Sequence, residues 1–556
     1  MANQKDTFTY IVGGKAGEGV KKSGSIAAKL FTKLGRYIFQ RDDYMSLIQG
    51  GHNYSVVTTA NRWVSSQYEN DVELIVNSDE RSYNKHKHKL SENGIIVFNS
   101  DKQEDVSGVG VPFSSKAKDY KAKDLMFGVG AFAVLSSVTG QTKAILEEII
   151  KEELPEKTWE DNIAYASDIF DHVDSEIGSS FKLEPGDKKR PILTGNESLS
   201  LGAIAAGLDC YYAYPMTPSS SILHFLAHYK NEFNLTVVQP ENEIAVINMA
   251  IGSSFSGAKT MVASSGGGYA LMNEGYSLAG MCEAPLVVVL TSRPSPASGV
   301  PTYTEQGDLQ FALNSGHGDF LRIVASPASI EEAFYLAAEL FDLTYQYQTP
   351  AILLTSKHLS ESHMTVDLTL ENTIWAQPEL FEENGEYKRY LDTENGVSPM
   401  KFPPSDQLIK WNSYEHDELG ITTEDPDITA SMHDKRYRKE EAMLKQMKNM
   451  HTVNTFGDSG PLIFTWGSTT MSVLEALEYG NINATVVQPI YLRPFPIWEI
   501  EKYRDEPVIT VELNKWGQFT NLIKEKAQIR VKKLINQYNA RPFDPIKLTK
   551  KLNEVL

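Results

Sequence analysis

Apolar residues fall along this chain in short runs of strand length, separated by stretches whose apolar positions recur with the period of a helix. At 8–12 the run FTYIV reads as a strand, GGKAGEGV follows as a turn, and KKSGSIAAKLFTKLG carries helix-period apolar positions. Further short strands are expected at 54–59, 72–76 and 94–98, giving a first α/β domain over 1–185. The charged stretch EPGDKKRP, 184–191, reads as a connector.

A second α/β unit, 191–375, alternates helical SLSLGAIAAGL, strand-like TVVQ, helical NEIAVINMAIGSSFSG, strand-like KTMVASS and the fully apolar PLVVVLTS. Continuous apolar strands alternating with helices imply a parallel sheet covered on both faces. Residues 328–356 add a helix and the strand PAILLTS. From 376 to 455 the pattern lapses into a polar connector that ends in a basic run, DKRYRKEEAMLKQMKNM, read as a solvated linker helix. A third unit, 456–556, comprises PLIFTWGS, helix TTMSVLEALEYG, strand ATVVQPIYL, strand PVITVELN and a closing helix from about 518. The fold class is α/β, in three domains.

Composition narrows the function. Lys and Arg number 53 against 72 Asp and Glu, a net charge of −19 that disfavours nucleic acid and anionic membrane as partners. Cys210 and Cys282 are the two cysteines, far apart within apolar segments, so they read as core thiols and not as a metal or cluster site. No apolar run reaches the roughly 20 residues of a membrane span, and no signal-peptide core precedes the first strand. A cytoplasmic protein is expected.

Four loops carry candidate chemistry. YPMTPSSS, 214–221, is stiffened by two prolines and presents four hydroxyls, whereas a helix start at Thr217 or Ser219 needs only one. VVQPENEIAVINMAIG, 237–252, puts Glu241 and Glu243 at a helix start directly after a strand. There an acid either complements the helix dipole or is buried and tuned for proton transfer. SSGGGYALMNEG, 264–275, offers close backbone approach or a tight turn. In SRPSPASGVPTYTEQGDL, 292–309, Arg293 is either a carboxylate clamp or the partner of a structural acid. The turn Gly14-x-x-Gly17-x-Gly19 lacks the Rossmann spacing; it suits an anion cradle beside Lys15 or a turn without ligand.

Taken in order and spacing, YPMTPSS, QPENEIAVINMAIG, SSGGGYALMNEG and RPSPASGVPTYTEQGDL resemble the α subunit of 2-oxoacid:ferredoxin oxidoreductases. EHDELG, 415–420, and the KR-x-RK run from Lys435 also match, and GKAGEGV with SLIQGGHN, 46–53, resembles that family's γ domain fused ahead of α. The resemblance implies a pyrimidine-binding thiamine diphosphate domain at 191–375 and a transketolase C-terminal-like domain at 456–556, where VELNKWGQF matches.

It further implies oxidative decarboxylation of a 2-oxoacid, with coenzyme A as acyl acceptor and ferredoxin as electron acceptor. A separate β subunit would carry the Mg²⁺ and diphosphate motif and a [4Fe-4S] cluster, in an (αβ)₂ heterotetramer. Gly457-Asp458-Ser459-Gly460 is not that motif, so no metal ligand is assigned to this chain.

Carried over residue by residue, Glu243 matches the glutamate on the aminopyrimidine ring, which helps the thiamine lose its C2 proton. Thr217, with Tyr214 and Pro215, matches the substrate loop, Arg293 the arginine on the 2-oxoacid carboxylate, and Gly266 and Gly267 the cofactor side. Gln49 stands where the family has arginine, and Met216 where isoleucine is commoner. The preferred substrate is expected to be 2-oxoglutarate, giving succinyl-CoA, with pyruvate or a broad range as the alternative. The rivals are a non-redox thiamine enzyme subunit and a nucleotide-binding scaffold that uses only the glycine turn.

Overall fold

The computed structural model describes residues 7–45, 51–104, 106–371, 373, 377–382 and 385–556. Three sheets organise them. The first has eight strands, in the order Val109–Val111, Leu90–Asn99, Val72–Asn77, Phe8–Lys15, His52–Ala60, Tyr37–Asp43, His363–Thr365 and Ile192–Thr194. The strands expected at 8–12, 54–59, 72–76 and 94–98 all form, each somewhat longer than its apolar run.

The last two strands of this sheet lie beyond the 184–191 connector, so the second segment of chain closes the edge of the first sheet. The connector itself is pinned. Arg190 is buried, stacked 3.8 Å above the Tyr37 ring and bonded to Asp187 and Asp367 at 2.6 and 2.9 Å. Gly186 lies so close to the Gly35 backbone that any Cβ would collide with it.

The second sheet has seven strands, and at its centre Leu286–Ser292 runs parallel to Thr260–Ser264 on one side and Pro350–Ser356 on the other. Every residue of these three strands is buried, as the unbroken apolar run PLVVVLTS requires of a strand covered on both faces. The third sheet has five strands around Leu462–Phe464, flanked in parallel by Thr485–Pro489 and Val508–Glu512.

ATVVQPIYL is not one strand. Thr485–Pro489 belongs to the third sheet, while Tyr491–Arg493 pairs antiparallel with Ile323–Ala325 at the edge of the second. Pro489 has no amide proton to continue a ladder, and Ile490 bridges the two sheets by bonding Thr452 with its amide and Ser326 with its carbonyl. The closing helix stops at Ala527, where Gln528 turns left-handed at φ 55°; a further strand, Val531–Asn536, and a helix, Pro545–Asn553, follow it.

The basic run is not solvated. It forms the helix Pro426–Met447, with proline at its first turn and Asp425 capping, and it buries Lys435, Arg436 and Lys439. Lys435 Nζ meets both oxygens of Glu283 at 2.9 and 3.0 Å, and Lys439 Nζ meets one at 2.5 Å. Burial alone would raise the Glu283 carboxyl, but the two lysines and Arg389 hold it far below the usual carboxylate range. Burial is also the main force pulling the Lys439 ammonium down, to about 7. Glu283 thereby fastens the long helix to the second sheet's unit.

Glu283→Ala is expected to strand two buried cations. Breaking a buried pair from one side costs about 3–5 kcal/mol, so chemical denaturation should show a loss of that size, whereas Glu424→Ala on the exposed approach to the helix should change nothing measurable.

Candidate active site

The four loops read from the sequence all leave the second sheet at the carboxyl ends of its parallel strands Cys210–Tyr212, Thr236–Val238, Thr260–Ser264 and Leu286–Ser292. In open parallel sheets this edge is where ligands sit.

Glu243 is the first residue of the helix Glu243–Phe255, whose start Asn242 caps by accepting the Ala245 amide at 3.0 Å. Its side chain turns inward and is 3 % exposed. Ser264 Oγ donates to Oε1 at a long 3.4 Å, and no ion pair reaches the carboxylate among the described residues. Gly268 forms its floor, where an added Cβ would overlap both Ser264 Oγ and Glu243 Oε1. The three glycines are therefore no turn. They open the helix Gly266–Met281, and the third leaves room for a carboxylate.

Arg293, 8 % exposed, follows the central strand directly. Its Nη1 donates to the Thr217 carbonyl at 2.7 Å, which joins the two loops. No acid forms an ion pair with it among the described residues. Burial pushes its guanidinium down, and the charge of Asp308 partly opposes this. Asp308 is itself buried; Oδ2 accepts the Ser292 hydroxyl at 2.8 Å, and both oxygens lie where a Cβ on Gly266 would collide with them. Burial raises the Asp308 carboxyl, against the Ser292 hydrogen bond and the Arg293 charge. Glu305 is likewise raised by burial and then by Asp308.

Thr217 is half-buried, while Tyr214 and Pro215 are exposed at the rim. Ser219 occupies the cap position of the helix Ser220–Tyr229 but does not cap it; its hydroxyl donates back to the Met216 carbonyl at 2.8 Å. Gly267 faces solvent, with the Ala297 carbonyl 4.0 Å from where its Cβ would lie. The structure thus brings Thr217, Arg293 and Gly266 together through Asp308 and Ser292, and sets Glu243 against Gly268, two residues further along the same helix as Gly266. Asp308, Ser292, Ser264 and Gly268 lay inside the motifs, but their types gave no reason to single them out.

The loop 293–309 is held by its far end. Gln306, 1 % exposed, receives Thr469 Oγ1 at 2.6 Å and the Leu513 amide at 3.1 Å, and donates to the Trp466 carbonyl at 2.9 Å. Asn514 and Gln518 bond the Gln306 and Gly307 carbonyls, and the Tyr303 hydroxyl donates to Asp43 of the first sheet at 3.2 Å. The third unit therefore positions the loop that carries Arg293.

At the first glycine turn Glu18 occupies the centre. Its carboxylate takes the Lys15 amide at 2.8 Å, the Ser78 hydroxyl and the Lys102 ammonium at 3.0 Å. An acid of the chain itself fills the place an anion would take. Gln49 lies outside the described residues.

The donor set suits thiamine diphosphate at its pyrimidine end. Glu243 is a buried carboxylate with unspent acceptor capacity, and Ser265, next in the chain to the Ser264 that bonds it, has a buried Oγ with no partner among the described residues. Comparison with known proteins agrees. Residues 201–435 match the family model of the pyruvate flavodoxin/ferredoxin oxidoreductase thiamine-diphosphate-binding domain, and residues 9–171 match pyruvate ferredoxin/flavodoxin oxidoreductase.

The 2-oxoacid:ferredoxin oxidoreductase α subunit of a Sulfolobus species is 30 % identical over 96 % of this chain and 95 % of its own. That of Saccharolobus solfataricus is 28 % identical over 96 % of each. A solved structure of 2-oxoglutarate:ferredoxin oxidoreductase from Magnetococcus marinus, with 2-oxoglutarate, coenzyme A and succinyl-CoA bound, superposes with a TM-score of 0.90 at 27 % identity, covering 99 % of this chain and all of that one.

The fold and site define a subunit of a thiamine-diphosphate-dependent oxidoreductase. Within that class, the chain belongs to the α subunits of 2-oxoacid:ferredoxin oxidoreductases, with the γ-type unit fused ahead. No described helix is long and apolar enough to cross a membrane.

Gly268→Ala should overpack the Glu243 floor and cost about 1–3 kcal/mol, read as a lower melting temperature. Gly267→Ala, with nothing but a carbonyl at ordinary contact distance, should leave stability unchanged.

Proposed function

We propose that this chain, with a β subunit, oxidatively decarboxylates 2-oxoglutarate in the cytoplasm: 2-oxoglutarate and coenzyme A yield succinyl-CoA, CO₂, a proton and two electrons that pass to ferredoxin. The observation that carries this is the pair of buried side chains Glu243 and Arg293, neither in an ion pair among the described residues, on loops that leave the same edge of one sheet. Likeness over the whole chain to a structure solved with 2-oxoglutarate bound supports that substrate over pyruvate.

Glu243 holds the aminopyrimidine ring and fixes its protonation state, because a buried carboxylate with one weak partner accepts strongly from a ring nitrogen. Thiamine diphosphate supplies the nucleophilic carbon and the electron sink. Arg293 grips the 2-oxoacid carboxylate with its fork, aimed by the Thr217 carbonyl. The Thr217 hydroxyl, with Tyr214 and Pro215 at the rim, orients the oxo group on a loop ordered before substrate arrives. Gly266 and Gly267 border the cofactor.

The Mg²⁺ and diphosphate site and the [4Fe-4S] cluster belong to the β subunit, in an (αβ)₂ assembly. Tyr214, Ile244, Leu271 and Val300 are exposed apolar residues within a few positions of the site groups, as a surface covered by a partner requires.

Co-expression with the β subunit under anaerobic conditions tests the reading through viologen reduction with 2-oxoglutarate, pyruvate and 2-oxobutyrate, each with and without coenzyme A. Glu243→Gln should assemble normally yet fall to background turnover; near-full activity would remove Glu243 from the chemistry. Arg293→Ala should lower kcat/KM by about 2–5 kcal/mol of transition-state binding, and an unchanged value would remove Arg293 from the substrate site.

A further inference from the structure

Arg293 meets a carbonyl, not an acid, yet an acid stands close by. Asp308 reaches it electrostatically without the contact of an ion pair, and the interaction is felt by both groups. Asp308 does not drift into contact because it is tied elsewhere: Ser292 Oγ donates to Oδ2 at 2.8 Å, both oxygens fill the space a Cβ on Gly266 would take, and the helix Leu309–Leu313 begins at the next residue. The carboxylate is held at a fixed remove from the guanidinium by three separate elements. A structural acid serving Arg293 would sit in its fork, and a surface acid would turn to water; Asp308 does neither, at 7 % exposure.

We infer that Asp308 is a positioning residue for decarboxylation, which acts through Arg293 by opposing the substrate carboxylate's negative charge from a fixed distance. The inference rests on the assignment of Arg293 to that carboxylate. In the reaction the bond from the carboxylate carbon to the oxo carbon breaks, its electron pair stays on the oxo-carbon side, and neutral CO₂ leaves. The anion that Arg293 grips is therefore lost along the reaction coordinate.

An arginine bound to that anion at full strength stabilises the ground state more than the transition state, and so raises the barrier. A nearby fixed carboxylate offsets this selectively: it weakens the carboxylate's anchorage and has nothing to repel once CO₂ forms. Asp308 thus separates the capture of the 2-oxoacid from its retention.

The test uses the assembled complex with its β subunit. Binding of 2-oxoglutarate is measured calorimetrically without thiamine diphosphate, and turnover is measured with it. Asp308→Asn, which preserves shape and the Ser292 contact, should bind 2-oxoglutarate tighter by roughly tenfold and lower KM and kcat together, the signature of removed ground-state strain. In an Arg293→Ala background the same substitution should have a much smaller effect on both, because the substrate carboxylate is no longer held within reach of Asp308.

Unchanged or weaker binding by Asp308→Asn, or an equal effect without Arg293, would overturn the inference. Wild-type affinity in Arg293→Ala would instead sink the substrate assignment itself. Should Asp308→Asn fail to assemble, Ser292→Ala, which frees Asp308 to move toward the Arg293 fork, should weaken 2-oxoglutarate binding and raise KM by a few-fold; no shift, or tighter binding, overturns the inference equally.

Discussion

On the proposed function, an arginine and a glutamate have to be kept buried and free of ion pairs at the carboxyl edge of a parallel sheet, and that constraint bears on how the units around it are joined. Unpaired buried charges cost several kcal/mol each, and they stay unpaired only where the surrounding structure is too stiff to collapse onto them or to let water in. Stiffness here comes from strands that cross between units. His363–Thr365 and Ile192–Thr194 complete the first sheet, and Tyr491–Arg493 completes the second, so neither of these two sheets is built from one stretch of chain alone. The loop that follows the central strand is anchored at its far end by Gln306, every polar atom of whose side chain is bonded to the third unit.

The same economy explains where ionic contacts are placed. Glu283 with Lys435 and Lys439 is a complete buried cluster, and its work is to dock a long helix. Around Arg293 the chain instead uses a backbone carbonyl. The contrast between a saturated cluster and an unsaturated one separates architecture from chemistry more sharply than burial does, since all of these side chains are buried.

The order of strands and helices was legible because each has its own period, and the loops after the strands were legible because hydroxyls, glycines and single charges interrupt apolar runs. Contacts between distant segments were not. A local window over DKRYRKEEAMLKQMKNM sees charge and infers solvent; that Lys435 and Lys439 share one face and find Glu283 is set by tertiary packing. In ATVVQPIYL the apolar pattern runs unbroken through Pro489, yet the missing amide there hands the chain from one sheet to another. Asp308 stood in plain view within EQGDL, but its neighbours Gly266 and Ser292 come from other elements, and only their juxtaposition gives it meaning.

If Arg293 holds the 2-oxoacid carboxylate as proposed, distance is what lets one cation serve both binding and release. A hydrogen bond to guanidinium is present or absent within an ångström, whereas a charge interaction falls only as the inverse of separation. A carboxylate in the fork of Arg293 would have to be displaced by every substrate molecule, and the exchange would give no net grip. A neutral carbonyl at 2.7 Å aims the fork and leaves its charge available. An acid set further off leaves the fork open too, yet lowers the potential that the incoming carboxylate meets. The spacing among Thr217, Arg293 and Asp308 is therefore a chemical quantity, and it is the one that the clamped loop 293–309 holds constant.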